Sequence, residues 1–117
     1  METLSLLLLA AIFLATGLTK LTQPRARLAA GPMRWAADVS DTQFRTVGAL
    51  EVLGALGLIL PTALGIAPAL VPLAALGLAL TMVGAAVVHV RYGEAERLPV
   101  PLLVLALALF VAVQHAA

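Results

Sequence analysis

Four long apolar stretches constrain this chain more than any other feature of its sequence. As helices they reach roughly 24 to 33 Å, and the hydrocarbon core of a bilayer is about 30 Å thick. Charged residues make up 11% of the chain, against roughly 25% in an ordinary soluble domain. We therefore predict an all-α fold, a four-helix transmembrane bundle forming one domain over residues 1–117, with helices at about 4–21, 44–60, 69–90 and 98–114. In the alternative, three helices span and one stretch is re-entrant or interfacial.

The basic residues predict the orientation of this bundle. All seven Lys and Arg residues lie in two segments, 20–45 and 91–97. A four-helix path places the first and third connections on the same side of the membrane, and the positive-inside rule assigns that side to the cytoplasm. Both termini are then non-cytoplasmic. The first twenty residues lack the basic start of a secretory signal, so we expect a retained helix there.

Prolines mark the connections between the predicted helices. Pro61–Pro68 is predicted as the short second loop, because proline removes a backbone donor and interrupts helices. The first loop contains residues 32–39, which start with proline and mix basic, aromatic and small apolar side chains. This stretch is either a short interfacial helix, able to act as a lid over the bundle mouth, or an ordered loop with Trp35 among the lipid headgroups.

Glu51 is an acid inside a predicted spanning helix, where a charge costs roughly 2.5 to 3.5 kcal/mol on insertion scales. Side chains lean toward the N-terminus of their helix, so Glu51 leans toward the cytoplasmic side. Lys20 and His89 end helices that run the other way and lean into the membrane toward it. We predict that these three residues converge on one ligand-binding pocket. Each also has a structural interpretation: a snorkelling lysine, an interfacial histidine, and a protonated acid hydrogen-bonded between helices.

Three further polar residues are predicted to support this pocket. Thr16 and Thr81 lie one and two turns before Lys20 and His89, where they extend a polar seam or bond a carbonyl of their own helix. Arg45 is six residues from Glu51, about 240° around the helix, so the two do not share a face. Arg45 is expected to anchor at the headgroups or to gate the pocket.

Several function classes find no support in the residues. The chain has no cysteine, so disulfides and thiolate metal sites are excluded within it, and a redox role needs a bound cofactor or a partner. No pair of ligands has the spacing of a metal site, and we predict none. No nucleophile–base arrangement, phosphate-binding loop or nucleic-acid patch is found, which leaves open whether the chain is an enzyme.

Spaced residues in three helices resemble the DoxX-like family of small membrane proteins across nearly the full length. In the first two helices these are Phe13, Gly17, Lys20 and Leu21, then Arg45, Gly48, Glu51, Gly54, Gly57, Leu58 and Pro61. In the third they are the stretch from Pro72 to Met82 and then His89. The resemblance implies a four-helix integral membrane protein, expected in the bacterial inner membrane. The family is named for a subunit associated with thiosulfate-to-quinone oxidation, and more distant relatives resemble assembly chaperones for receptor channels.

Two hypotheses of function follow. In the first, the cytoplasm-facing pocket binds a quinone or another lipophilic molecule within a membrane redox system: Glu51 accepts a hydrogen bond or proton, Lys20 sets its charge, and His89 donates to a ligand oxygen. In the alternative, the chain is a non-catalytic partner subunit or assembly factor for another membrane protein, and the polar cluster fixes helix register. The lipid bilayer is the expected surrounding in both, with a homodimer as a further expectation.

Overall fold

The computed structural model describes residues 2–31 and 33–116, and the described chain forms helices without any strand. The described residues form five α-helices: α1 (Glu2–Thr22), α2 (Arg25–Ala29), α3 (Asp41–Leu64), α4 (Leu70–Arg91) and α5 (Pro99–Gln114). Two short 3-10 helices cover Arg34–Asp38 and Ala95–Arg97. Four segments are long and apolar enough to cross a membrane: Thr3–Thr22, Asp41–Leu64, Leu70–Arg91 and Ala95–Gln114. The predicted all-α four-helix bundle is therefore confirmed.

The four long helices pack in a ring around an apolar core. Helix α1 packs most extensively on α3, α4 packs on α5, and α3 with α4 and α1 with α5 complete the ring. The core lies in the half of the bundle nearest the chain termini, and its buried residues include Leu6, Leu9, Phe13, Ala55, Leu58, Ala75, Leu78, Ala108 and Val111. Most other large apolar side chains face outward. Such outward-facing apolar residues suit contact with lipid.

The prediction that Pro61 begins a loop is wrong. Helix α3 continues through Pro61 to Leu64 and ends at Gly65, whose φ of 66° is left-handed. The backbone N–H groups of Gly65 and Ile66 both donate to the Pro61 carbonyl oxygen. A proline is tolerated inside a spanning helix where the surrounding helices cover it, and Pro61 is buried. The left-handed glycine, not the proline, therefore stops α3.

The first connection folds into a small apolar cluster of its own. Within the predicted helix at 32–39, the structure forms a 3-10 helix at Arg34–Asp38, while Pro32 lies outside the described residues. Helix α2, which was not predicted, precedes it. Leu28 of α2 and Ala36 pack against Phe44 at the start of α3, with Trp35 tilted at 5.4 Å from the Phe44 ring. This cluster holds the connection against the bundle at the end opposite the main core.

Candidate functional site

Gly17 of α1 and Gly48 of α3 bring the backbones of two spanning helices into close contact. A Cβ added to Gly48 would lie 2.8 Å from the Cβ of Lys20 and 2.9 Å from the Gly17 carbonyl oxygen. Small residues let membrane helices approach this closely. Lys20 and Glu51 each follow one of these glycines by three residues, which places them on nearly the same helix face. The glycine contact thereby brings the lysine and the acid together.

Lys20 and Glu51 form a buried ion pair. The Lys20 Nζ lies 2.6 Å from Glu51 Oε1, and the two side chains are 8% and 3% exposed. The Thr16 hydroxyl lies 3.3 Å from the other oxygen, Oε2, and at the same distance from the Phe13 carbonyl of its own helix. A buried charge is tolerated when it is paired and hydrogen-bonded. Both oxygens of Glu51 thus have partners, and the pair carries no net charge.

His89 pairs with a second acid, Glu94, which sequence reasoning did not identify. Nδ1 of His89 lies 3.1 Å from Glu94 Oε1, and Arg34 Nη1 lies 3.5 Å from Glu94 Oε2. The chain reverses after α4 because Gly93 adopts a left-handed φ of 68°. The Glu94 and Gly93 amides then donate to the carbonyls of His89 and Val90. This helix-ending motif places Glu94 beside His89, and the signal in the sequence is the glycine followed by an acid just past a helix end.

Arg34 also ties the first connection to the connection after α4. Its guanidinium lies 3.4 Å from the Tyr92 carbonyl oxygen and 5.7 Å from the centre of the Tyr92 ring. The Tyr92 hydroxyl bonds the Asp38 carboxylate. Arg34 and Asp38, at the two ends of segment 34–38, therefore both hold this segment to the C-terminal end of α4.

The pKa of Glu94 lies below its ordinary value of 4.5, chiefly because His89 donates a hydrogen bond to it. Burial acts in the opposite direction and raises the pKa, while the charges of Arg97 and Arg34 lower it further. A lowered folded-state pKa stabilises the fold above the ordinary value, and this stabilisation is lost as the pH falls through the folded pKa. We therefore expect the difference in thermal stability between the wild type and Glu94→Gln to shrink as the pH falls below about 4.5. Thermal unfolding in detergent across this range measures it.

Glu96→Gln is the matched control for this pH series. Glu96 lies in the same connection but is exposed, so the stability difference that it produces should be small at every pH. A difference for Glu94→Gln that stays constant or grows on acidification would contradict the assignment.

Within the described residues, Arg45 and Thr81 form no hydrogen bond to the Lys20 ammonium or the Glu51 carboxylate. Nη1 of Arg45 donates to the Lys20 carbonyl oxygen and, at 2.6 Å, to that of Gln23, so this side chain caps the C-terminus of α1. The role of headgroup anchor or gate stays a prediction for Arg45, beside this capping contact. The Thr81 hydroxyl donates to the Gly77 carbonyl at 3.1 Å, which is the local bond considered for it.

One cavity of about 560 Å³ brings the predicted residues together. Its polar wall consists of Thr16, Lys20, Glu51, Thr81 and His89, and Arg45 does not line it. Its apolar wall consists of Val47, Leu50, Met82, Gly84, Ala85, Val88 and Val100, with Met33 and Trp35 contributed by the first connection. The cavity lies at the end of the bundle opposite the main core. Its volume is in the range of small-molecule sites, roughly 300 to 1,000 Å³.

Comparison with known proteins yields one finding beyond the structure. Neither the comparison with curated proteins nor that with solved structures gives a match. A family model described as DoxX-like matches residues 4–111, which cover all four spanning helices in whole or in large part. The match agrees with the resemblance carried by the spaced glycines, Lys20 and Glu51, and with a small multi-pass membrane protein. The chain belongs to the DoxX-like family.

Proposed function

We propose that this protein binds a small lipophilic molecule in the cavity, with the polar end of that molecule against the Lys20–Glu51 pair. The observation that carries the proposal is the composition of the cavity wall: an apolar enclosure with a few polar groups on one side. Sites for small molecules commonly have this composition, because apolar contacts give affinity and a few polar groups fix orientation. A quinone, with an apolar body and two carbonyl oxygens, is the ligand class that we test first.

The polar groups of the wall have distinct roles in this proposal. One N–H of the Lys20 ammonium is engaged by Glu51, and an ammonium has three, so Lys20 is able to donate to a ligand oxygen. Glu51 holds that ammonium in place. His89 uses Nδ1 for Glu94, which leaves Nε2 for the ligand. The basic connections favour a cavity that opens toward the cytoplasm, in a bacterial inner membrane. In a membrane redox system, a partner protein would exchange electrons with the bound ligand.

Glu51→Gln is expected to remove most of the stabilisation that a ligand confers. A ligand that binds the folded state stabilises it by RT ln(1 + L/Kd), where L is the free ligand concentration, so weaker binding gives less stabilisation at the same ligand concentration. The glutamine weakens binding because it releases Lys20 from its charge partner at the cavity wall. We expect a short-chain naphthoquinone or benzoquinone to raise the thermal unfolding temperature of the wild type, and to raise that of Glu51→Gln by much less. Glu96→Gln, which loses an exposed acid that does not line the cavity, should respond as the wild type does. Equal responses of all three proteins would count against the proposal.

A second proposal, that of a partner subunit or assembly factor, draws on the outward faces of α4 and α5. Many exposed large apolar residues lie there, including Leu73, Leu80, Val90, Leu103 and Val113. Lipid and a partner helix cover such faces equally well. Purification in mild detergent separates the two: a stoichiometric membrane partner, with no response to either quinone, favours the partner subunit, and an isolated protein that responds favours the ligand site.

A further inference from the structure

The Glu94–His89 pair leaves His89 with one engaged and one available ring nitrogen. An ionised carboxylate only accepts hydrogen bonds, so the Nδ1 beside Glu94 carries a hydrogen and donates it. The remaining nitrogen of a neutral imidazole, Nε2, then holds a lone pair. Nε2 makes no hydrogen bond within the described residues, and His89 lines the cavity. The carboxylate therefore sets the tautomer in which the other nitrogen is a base.

The charged groups around the cavity do not favour a charged ligand on entry. Glu94 is the acid in contact with His89, and its side chain is buried. Arg34 pairs with its other carboxylate oxygen, and Arg97 is a further nearby positive charge. Lys20 of α1 and Glu51 of α3 reach the same cavity, but they neutralise each other. An ionised ligand would lose its hydration in an apolar enclosure without a free counter-charge. A neutral ligand enters without this loss, and when it gives up its proton inside the cavity, the new imidazolium of His89 is the counter-charge beside the aryloxide.

The apolar side chains around the cavity fit an aromatic ring. Met33 and Met82 lie on its wall, and thioethers make favourable contacts with ring edges. Trp35, half-buried on the same wall, offers a ring for an offset or edge-to-face contact. A hydroxyl attached directly to an aromatic ring is also far more acidic than an aliphatic one, so it is the kind of hydroxyl that an imidazole can deprotonate.

We propose that the cavity binds a neutral aromatic alcohol and that Nε2 of His89 takes the hydroxyl proton, with Glu94 as the residue that positions His89 for this transfer. The O–H bond of the ligand breaks, an N–H bond forms at Nε2, and the electron pair stays on the ligand oxygen, so the products are an aryloxide and an imidazolium. The ammonium of Lys20 stabilises the aryloxide, and the Glu94 carboxylate stabilises the imidazolium. This inference rests on the proposed ligand cavity, and it names the chemical class of ligand and the residue that exchanges the proton.

The test uses 4-nitrophenol with the full-length protein in detergent, because its aryloxide form absorbs visible light and its neutral form does not. Equilibrium dialysis measures how much probe is bound, and the visible spectrum measures how much of the bound probe is ionised. At a pH just below the pKa of the free phenol, we expect the bound probe to have an aryloxide-to-phenol ratio about tenfold above that of the free probe, which is a shift of about one pKa unit. Empty detergent micelles disfavour the ionised form, so the background shift has the opposite sign.

Substitutions separate the positioning role from a structural one. His89→Gln should remove the excess of aryloxide, and Glu94→Gln should remove most of it, while Glu96→Gln should retain it. A probe that binds the wild type in its neutral form overturns the proton transfer but leaves the ligand cavity standing. The same holds if both quinones bind and the nitrophenol does not. If neither nitrophenol nor quinone binds, both proposals fall. An unchanged spectrum in Glu94→Gln, with binding retained, overturns the role of Glu94.

Discussion

Replacing Lys20 with methionine is expected to lower the free energy of unfolding by about 3 to 5 kcal/mol, the range seen when one partner of a buried ion pair is removed. The reason is that Glu51, whose side chain is 3% exposed, would be left as a buried acid without its charge partner and with only Thr16 as a hydrogen-bond partner. Equilibrium unfolding in mixed micelles measures the change. Arg27→Met is the matched control: Arg27 is exposed near the same end of α1, and its loss should change stability by no more than about 0.5 kcal/mol.

The double variant Lys20→Met/Glu51→Met distinguishes the effect of losing the whole ion pair from the effect of leaving one partner buried alone. Replacing both partners of a buried pair by apolar groups of similar size is often neutral or even stabilising. We therefore expect the double variant to recover most of the stability that Lys20→Met loses, while the ligand response stays absent. Additive losses in the double variant would show that the two residues do not interact.

The second large effect is expected at Gly48, where α1 and α3 are in close contact. In Gly48→Ala the new methyl group would lie 2.8 Å from the Cβ of Lys20 and 2.9 Å from the Gly17 carbonyl oxygen, and both distances require the helices to move apart. Overpacking of this kind costs about 1 to 3 kcal/mol, and we expect Gly48→Leu to exceed that range. Because the Cβ of Lys20 is one of the atoms that must move, we expect the distance between Lys20 and Glu51 to increase as well.

Gly77→Ala is the matched control for this substitution. Gly77 lies in a spanning helix too, but nothing lies within 4 Å of an added Cβ there. Replacing a helical glycine with alanine without a clash is expected to stabilise by roughly 0.5 to 1 kcal/mol. The two alanine variants should therefore change stability in opposite directions in the same unfolding experiment. A Gly48→Ala protein at least as stable as the wild type would contradict the close packing of α1 on α3.

The ion pair could be anticipated from sequence because a charged side chain inside the membrane has few groups with which it can pair. An acid such as Glu51 in an apolar stretch needs a partner, and the direction in which helical side chains lean favoured Lys20 and His89 over the nearer Arg45. Lys20 pairs with Glu51, while His89 pairs with Glu94. The spanning helices followed from apolar length alone. Which glycines make the interface between helices did not follow, since Gly17, Gly48, Gly77 and Gly84 have similar surroundings in the sequence and differ only in what packs against them.

Glu94 and the end of α3 escaped sequence reasoning for local reasons. Glu94 stands in a polar connection, where an acid has no apparent energetic cost, and only the backbone reversal at Gly93 turns it back onto His89. Pro61 was expected to end a helix because proline does so in water. Inside the bundle its ring is buried, and the helix runs on to the left-handed Gly65.

The most direct test of the ligand cavity uses Trp35, the one tryptophan of the chain, which lies on the cavity wall. Quenching of its fluorescence by a short-chain naphthoquinone should be saturable in the wild type. Gly84→Phe places a ring in the cavity, where an added Cβ meets nothing within 4 Å, while Gly77→Phe places the same ring on the same helix away from the cavity. We predict saturable quenching with wild-type affinity in Gly77→Phe, and affinity weakened about tenfold or more, by about 1.4 kcal/mol, in Gly84→Phe. Identical, non-saturating quenching in all three proteins would contradict a ligand site in this cavity.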